Sequence, residues 1–113
     1  MIWNPEKECM DRAARERLQF ARLKNLVEHV YNAVPFYRQK FDAVGVKPSD
    51  ITCMADIAKL PFTTKSDLRE TYPYGLLAVP QAEIVEVHMS SGTTGTPVVD
   101  AYTIATFIFL SII

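Results

Sequence analysis

Positive charge is missing from the C-terminal part of this 113-residue sequence, because no lysine or arginine follows Arg69. The formal net charge of the whole chain is −1, and the basic residues between Lys7 and Arg69 are scattered along it. A surface that binds nucleic acid needs a basic patch or stripe to neutralise phosphates. The charge pattern therefore argues against a nucleic-acid partner.

Cysteine is scarce, and its placement excludes the common metal frameworks. Cys9 and Cys53 lie far apart, there is no Cys-x-x-Cys pair, and His29 and His88 do not cluster with them in sequence. A structural zinc site needs four ligands. We expect two free thiols in a reducing compartment and no metal bound by the protein alone.

We expect neither a targeting segment nor a membrane-spanning segment. The N-terminus carries Asn4-Pro5-Glu6-Lys7-Glu8 instead of a basic segment followed by an apolar run, so we expect a cytoplasmic protein. The apolar run Tyr102–Ile113 would rise only about 18 Å as a helix. The hydrocarbon core of a bilayer is about 30 Å thick, so no membrane span is predicted.

Residues 1–74 predict a helical N-terminal subdomain. Asn4-Pro5 is typical of a helix start, and no glycine or proline then appears until Pro35, so one long helix or two helices are expected. Apolar residues recur at spacings of three and four over the second half of this segment, which indicates one buried stripe. They are Leu23, Leu26, Val27, Val30, Tyr31 and Val34.

Two shorter helices are predicted further along this subdomain. Phe36–Ala43 is expected to end at Gly45 in the position that favours a left-handed backbone. Thr64 and Asp67 have the spacing of a capping box, so a short helix should follow Thr64.

Residues 75–113 predict the opening of a sheet. Ile84–Met89 is rich in β-branched residues, a Gly- and Ser-rich turn follows, and apolar character resumes at Val98. The expected fold class is α/β: a helical N-terminal subdomain followed by the first strands of a larger mixed sheet.

The turn at 90–97, Ser-Ser-Gly-Thr-Thr-Gly-Thr-Pro, has the chemistry of a phosphate cradle. Its two glycines allow close backbone approach, and successive N–H groups in such a turn converge on an anion. Its hydroxyl groups can donate to phosphate oxygens; they belong to Ser90, Ser91, Thr93 and Thr94. It is not a Walker A loop, since no lysine follows the second glycine. By composition alone, an ordinary hairpin turn stays open as an alternative.

This loop resembles the signature loop of the adenylate-forming superfamily, where the position of Thr96 is usually lysine or arginine. Three more segments, in matching order, resemble the N-terminal region of phenylacetate-CoA ligases. They are 34–38 (VPFYR), 60–69 (LPFTTKSDLR) and 72–76 (YPYGL). The resemblance spans roughly residues 3–103, and it identifies the chain as the N-terminal part of such a ligase.

The resemblance implies an enzyme that uses ATP, Mg²⁺ and coenzyme A, with phenylacetate or a related aryl acid as the small-molecule substrate. The acid is first converted to an acyl adenylate and then to an acyl-CoA thioester. The residues that would bind the β- and γ-phosphates of ATP are Ser90, Ser91, Gly92, Thr93, Thr94 and Gly95. No catalytic residue can be assigned by this route.

Lys65 is a further candidate for phosphate binding. It opens the predicted short helix, whose N-terminus favours anions, and Thr96 leaves the loop without its usual cation. We hypothesise that Lys65 reaches the phosphates of ATP. The alternative is a solvated surface lysine.

Other conspicuous side chains are expected to have local roles. His88 should be satisfied by a neighbour at its strand end, and His29 should be structural. Packing is the role expected for the aromatic residues Trp3, Phe36, Tyr37, Phe41 and Phe62.

The charge-free tail Ile104–Ile113 departs from the ligase pattern, which suggests a frameshift, a truncation or a designed boundary. The adenine, ribose and acyl sites would lie beyond Ile113, so the chain alone is expected to be inactive. The competing interpretation is a non-enzymatic helical module that assembles with another chain through this tail. A homo-oligomer is left open.

Overall fold

The computed structural model describes residues 2, 4–92 and 95–106. It contains helices α1 to α4, strands β1 and β2, and three short 3₁₀ helices. The α-helices are Pro5–Glu8, Arg12–Ala33, Pro35–Ala43 and Lys65–Glu70. The 3₁₀ helices are Pro48–Asp50, Met54–Lys59 and Gln81–Glu83, and the strands are Ile84–Met89 and Val99–Thr103. The predicted change from helices to strands along the chain is confirmed.

The first helical segment divides into two helices. Asn4 caps α1 by accepting a hydrogen bond from the Lys7 N–H, as its side chain predicted. A second cap follows at Asp11, whose Oδ1 accepts the Ala14 N–H at 2.9 Å and begins α2. Of the two arrangements left open by the sequence, the structure therefore has two helices, because Asp11 provides a second N-cap.

The junction between α2 and α3 is held by Arg38. Its guanidinium donates to the carbonyl oxygens of Tyr31 and Asn32, at 3.0 and 2.8 Å. These carbonyls belong to the last turn of α2, where the helix itself supplies no donors. After α3, Gly45 has φ +69, the left-handed conformation predicted for the end of this helix.

The hydrophobic core lies between α2, α3 and the segment after α3. Val27, Phe41 and Ile51 are buried and pack together, and Tyr31 meets Phe41 edge-on with ring centroids 5.9 Å apart. The stripe prediction is confirmed for Val27 and for the buried Val34. It is wrong for Leu26, which is 57% exposed. One residue of helix turns by about 100°, so Leu26 lies at the edge of the face centred on Val27.

Helix α4 is fastened to α3 by one lysine. The capping box is confirmed: Asp67 Oδ2 accepts the Thr64 N–H at 2.7 Å, and Thr64 Oγ1 accepts the Asp67 N–H at 3.3 Å. Lys40 of α3 donates to Asp67 Oδ2 and, at 2.8 Å, to the carbonyl oxygen of Phe62. The packing prediction for the Phe62 ring is wrong, since this residue is 89% exposed. Phe62 contributes its backbone carbonyl oxygen, which accepts the hydrogen bond from Lys40, and not its ring.

Strands β1 and β2 form an antiparallel hairpin in which Val87 pairs with Ala101 and Met89 pairs with Val99. Alternate residues of β1 share one face, and on that face Val85, Val87 and Met89 are exposed. No helix in the described part of the chain is long and apolar enough to cross a membrane. The predictions for Trp3 and for positions 107–113 lie outside the described residues.

Replacing Ile51 tests whether the core around α2 and α3 stabilises the chain. Ile51 is 1% exposed, so Ile51→Ala should lower the free energy of unfolding by about 2–5 kcal/mol through lost burial and a cavity. The matched control is Ile57→Ala, at a residue that is 53% exposed, with an expected change within about 0.5 kcal/mol. Urea denaturation measures both. Equal losses for the two variants would contradict this location of the core.

Candidate phosphate-binding site

The loop between β1 and β2 is closed by Ser90. The Ser90 N–H donates to the Val98 carbonyl oxygen at 3.0 Å, and Ser90 Oγ accepts the Val98 N–H at 2.9 Å. Accepting this bond uses an oxygen lone pair and leaves the hydroxyl hydrogen as a donor. Ser90 therefore fixes the two ends of the loop and still presents a donor group.

Gly92 gives the loop its sharp turn. Its φ is +64, and its carbonyl oxygen accepts the Gly95 N–H at 2.9 Å. A Cβ at position 92 would lie 2.9 Å from the Gly95 carbonyl oxygen, in a backbone conformation that side chains disfavour. Only glycine fits this turn without strain. Thr93 and Thr94, two of the predicted phosphate-binding residues, lie outside the described residues.

A small cavity of about 90 Å³ separates the loop from helix α4. The loop contributes Ser90, Ser91, Gly92, Thr96 and Val98, and the helix contributes Lys65 and Arg69. Four of these, Ser90, Ser91, Gly92 and Lys65, belong to the predicted site. The structure thus brings the predicted helix lysine to the predicted loop, although Lys65 and Ser90 are 25 positions apart in the sequence.

Arg69 is a lining residue that the sequence analysis missed. It is half-buried, and it lies one helical turn after Lys65 on α4. Side chains four residues apart share a helix face, so this spacing was the signal that could have identified it.

The charge of the cavity comes from α4. The loop from Ser90 to Pro97 has no ionisable side chain, and no carboxylate is among the described residues that line the cavity. Asp67 of α4 is paired with Lys40 instead. Its hydrogen bond to Lys40, and then the one from the Thr64 backbone, lower the pKa of Asp67 below its usual value. The described residues that line the cavity therefore include two cationic side chains and no anionic one.

The two histidines lie apart from this cavity lining. His88 contacts Glu86 on its own strand and packs edge-on against the Tyr102 ring, 5.2 Å between centroids, so its predicted local role is confirmed. His29 is exposed on α2. Within the described ranges, no three His, Cys, Asp or Glu residues are grouped as a metal site.

No family model matches this sequence, but curated ligases share most of it. The phenylacetate-coenzyme A ligase of Thermus thermophilus is 50% identical over 103 residues, which are 91% of this chain and 23% of that protein. The Pseudomonas putida enzyme of the same name is 55% identical over 85 residues, 75% of this chain and 19% of the relative. The Escherichia coli K12 enzyme is 46% identical over 106 residues, which cover 91% of this chain and 24% of that enzyme.

Solved structures agree with these relatives. A crystal structure of 2-hydroxyisobutyryl-CoA ligase with 2-HIB-AMP and CoA in the thioesterification state has a TM-score of 0.83 and 35% identity. The match covers 91% of this chain and 23% of the chain in that crystal structure. The open conformation of that ligase, also with 2-HIB-AMP and CoA, has a TM-score of 0.81 and 33% identity, and 25% of it is covered.

The fold is that of the N-terminal part of the adenylate-forming CoA ligases. Within that class, most of the sequence matches the N-terminal part of curated phenylacetate-CoA ligases, at 46–55% identity. It spans about a fifth to a quarter of the length of the relatives it matches. Both the predicted family and the predicted fold class are confirmed, and the matches favour a ligase origin over the helical assembly module.

The ion pair that fastens α4 should make stability depend on pH. The folded-state pKa of Asp67 is lower than its ordinary value of 3.8, so its stabilisation is present above pH 3.8 and is lost as the pH falls through the lowered pKa. Asp67→Asn should therefore lower the Tm at pH 7, and this deficit should shrink in acid well below pH 3.8. Calorimetry at both pH values measures it, with the exposed Glu28→Gln on α2 as control. A deficit of the same size in acid would show that Lys40–Asp67 is not the cause.

Proposed function

We propose that this chain is the phosphate-binding segment of a phenylacetate-CoA ligase, and that it binds the triphosphate of ATP while the acid is adenylated. The observation that carries the proposal is the cavity shared by the loop and α4. One wall supplies the hydroxyl groups of Ser90 and Ser91 and the backbone at Gly92, and the other supplies the cation of Lys65. This combination suits an anion with several oxygen atoms.

The proposed ligands of the β- and γ-phosphates are the loop residues and one helix residue. They are Ser90, Ser91, Gly92, Thr93, Thr94, Gly95 and Lys65. Since no carboxylate lies among the described lining residues, this segment fits the phosphates themselves better than a bare metal ion. Mg²⁺ would be held mainly by phosphate oxygens, with loop hydroxyls as additional oxygen ligands.

The proposed reaction has two steps, and the site acts in the first. A carboxylate oxygen of the acid attacks the α-phosphorus of ATP, and the bond to the bridging oxygen breaks to release pyrophosphate. Negative charge accumulates on the departing β- and γ-phosphates, where the loop donors and Lys65 would stabilise it. The thiol of coenzyme A then attacks the acyl carbon, loses its proton and displaces AMP. We also propose that the reaction takes place in the cytoplasm, where ATP and coenzyme A are both available.

Phenylacetate is the favoured acid. The curated phenylacetate-CoA ligases are 46–55% identical to the chain, whereas the 2-hydroxyisobutyryl-CoA ligase structures are 31–35% identical. We also propose a functional division of the chain. Residues 1–74 would form a helical subdomain that places α4, and residues 75–113 would begin the adenylating sheet with the loop at 90–97.

A chimaera tests the proposed function. This chain replaces the matching segment of the full-length Thermus thermophilus relative, and phenylacetyl-CoA formation is measured at varied ATP concentrations. Lys65→Met should raise the KM for ATP roughly 10-fold or more, the scale of one lost hydrogen bond to a charged group. The KM for phenylacetate should not change. Gly92→Ala should reduce turnover, because a side chain there strains the loop.

The control is Lys24→Met, at an exposed lysine of α2, which should leave both constants unchanged. The isolated chain should give no thioester. A folded chimaera that forms no phenylacetyl-CoA would contradict the assignment as a whole. An unchanged KM for ATP in Lys65→Met together with unchanged turnover in Gly92→Ala would contradict the proposed phosphate site.

A further inference from the structure

Helix α4 presents two positive charges, not one, to the loop. Lys65 and Arg69 both line the cavity, on a helix of six residues that runs from Lys65 to Glu70. Residues four apart on a helix have Cβ atoms about 5–6 Å from each other, and like charges at this spacing are mutually destabilising. A group that carries several negative charges would relieve this repulsion.

We propose that Arg69 is a second phosphate-binding side chain, and that α4 and the loop form a two-sided clamp selective for groups with at least two linked phosphates. This inference rests on the proposed function, because it concerns the same cavity. It adds a residue that no resemblance supplied and a preference for pyrophosphate and triphosphate groups over a monophosphate.

The chemistry of arginine supports the assignment. A guanidinium presents its N–H groups in a planar fork that can form two parallel hydrogen bonds to phosphate oxygens, whereas a lysine is a single point charge. Arg69 is half-buried, and Lys65 is exposed. A partly buried charge is less screened by salt than a fully solvated one, so Arg69 should act more strongly on an anion inside the cavity.

Neither acidic residue of α4 is among the described residues that line the cavity. Asp67 is paired with Lys40 of α3, and Glu70 accepts a hydrogen bond from Ser66 at 3.0 Å. Because two cations and the loop donors meet at one small cavity, a single phosphate would engage only part of the site. Two linked phosphates, as in pyrophosphate or the β- and γ-groups of ATP, can engage both side chains. AMP retains only its α-phosphate and should bind there weakly.

Nuclear magnetic resonance of the ¹⁵N-labelled chain tests the proposal. Inorganic pyrophosphate and, separately, AMP are titrated while the backbone amide signals of Ser91 and Gly92 and the side-chain Nε–H signal of Arg69 are followed. We expect all three signals to shift with one Kd for pyrophosphate, and AMP to bind more weakly. Arg69→Met should weaken pyrophosphate binding roughly 10-fold or more, with Arg69→Lys in between.

Arg22, one of the exposed arginines of α2, supplies the control: Arg22→Met should bind pyrophosphate like the parent chain. If the loop amides respond but the Arg69 signal does not move, or if Arg69→Met binds equally well, the clamp is wrong while the proposed phosphate loop stands. The Arg69 signal is measured on the unmodified chain, so it tests the clamp even if the Arg69→Met variant fails to fold. If the loop amides of the parent chain do not respond to pyrophosphate, the proposed phosphate site itself is contradicted.

Discussion

The contact between Lys40 and Asp67 sets the position of α4, and the candidate site depends on that position. A six-residue helix makes too few internal hydrogen bonds to be stable alone in water. Its N-terminal cap at Thr64 and its ion pair to α3 supply what the helix lacks. Lys40 also donates a hydrogen bond to the Phe62 carbonyl oxygen, so the chain entering α4 is held as well as the helix. The core of α2 and α3 thereby fixes a distant pair of cations.

The loop and helix α4 make different contributions to the candidate phosphate site. The loop brings hydroxyl groups and, through Gly92, a close backbone, but it carries no charge between Ser90 and Pro97. The helix brings Lys65 and Arg69, whose charges are not cancelled by Asp67 because that carboxylate is paired with Lys40. A phosphate site built this way places its cations on a separate element. Helix α4 then supplies positive charge to the cavity even though Thr96 stands where a lysine or arginine is usual.

Sequence reasoning succeeded where a structure is determined by near neighbours. The caps at Asn4 and Thr64 and the turn at Gly45 each depend on residues a few positions apart. It failed for Leu26 and Phe62, whose exposure depends on what packs against them. Lys40 and Asp67 are 27 residues apart, and no local pattern indicates their contact. Arg69 was predictable only after Lys65 had been placed at the loop.

The most direct test is a crystal structure of the full-length chimaera with Mg²⁺ and inorganic pyrophosphate bound. The account predicts pyrophosphate between the loop and α4, with oxygens about 2.7–2.9 Å from Lys65 Nζ and from the Arg69 guanidinium. The Gly92 backbone should contact the same anion, and Lys40 should still be paired with Asp67. Pyrophosphate bound elsewhere, or bound at the loop with Lys65 and Arg69 both turned to solvent, would contradict the account.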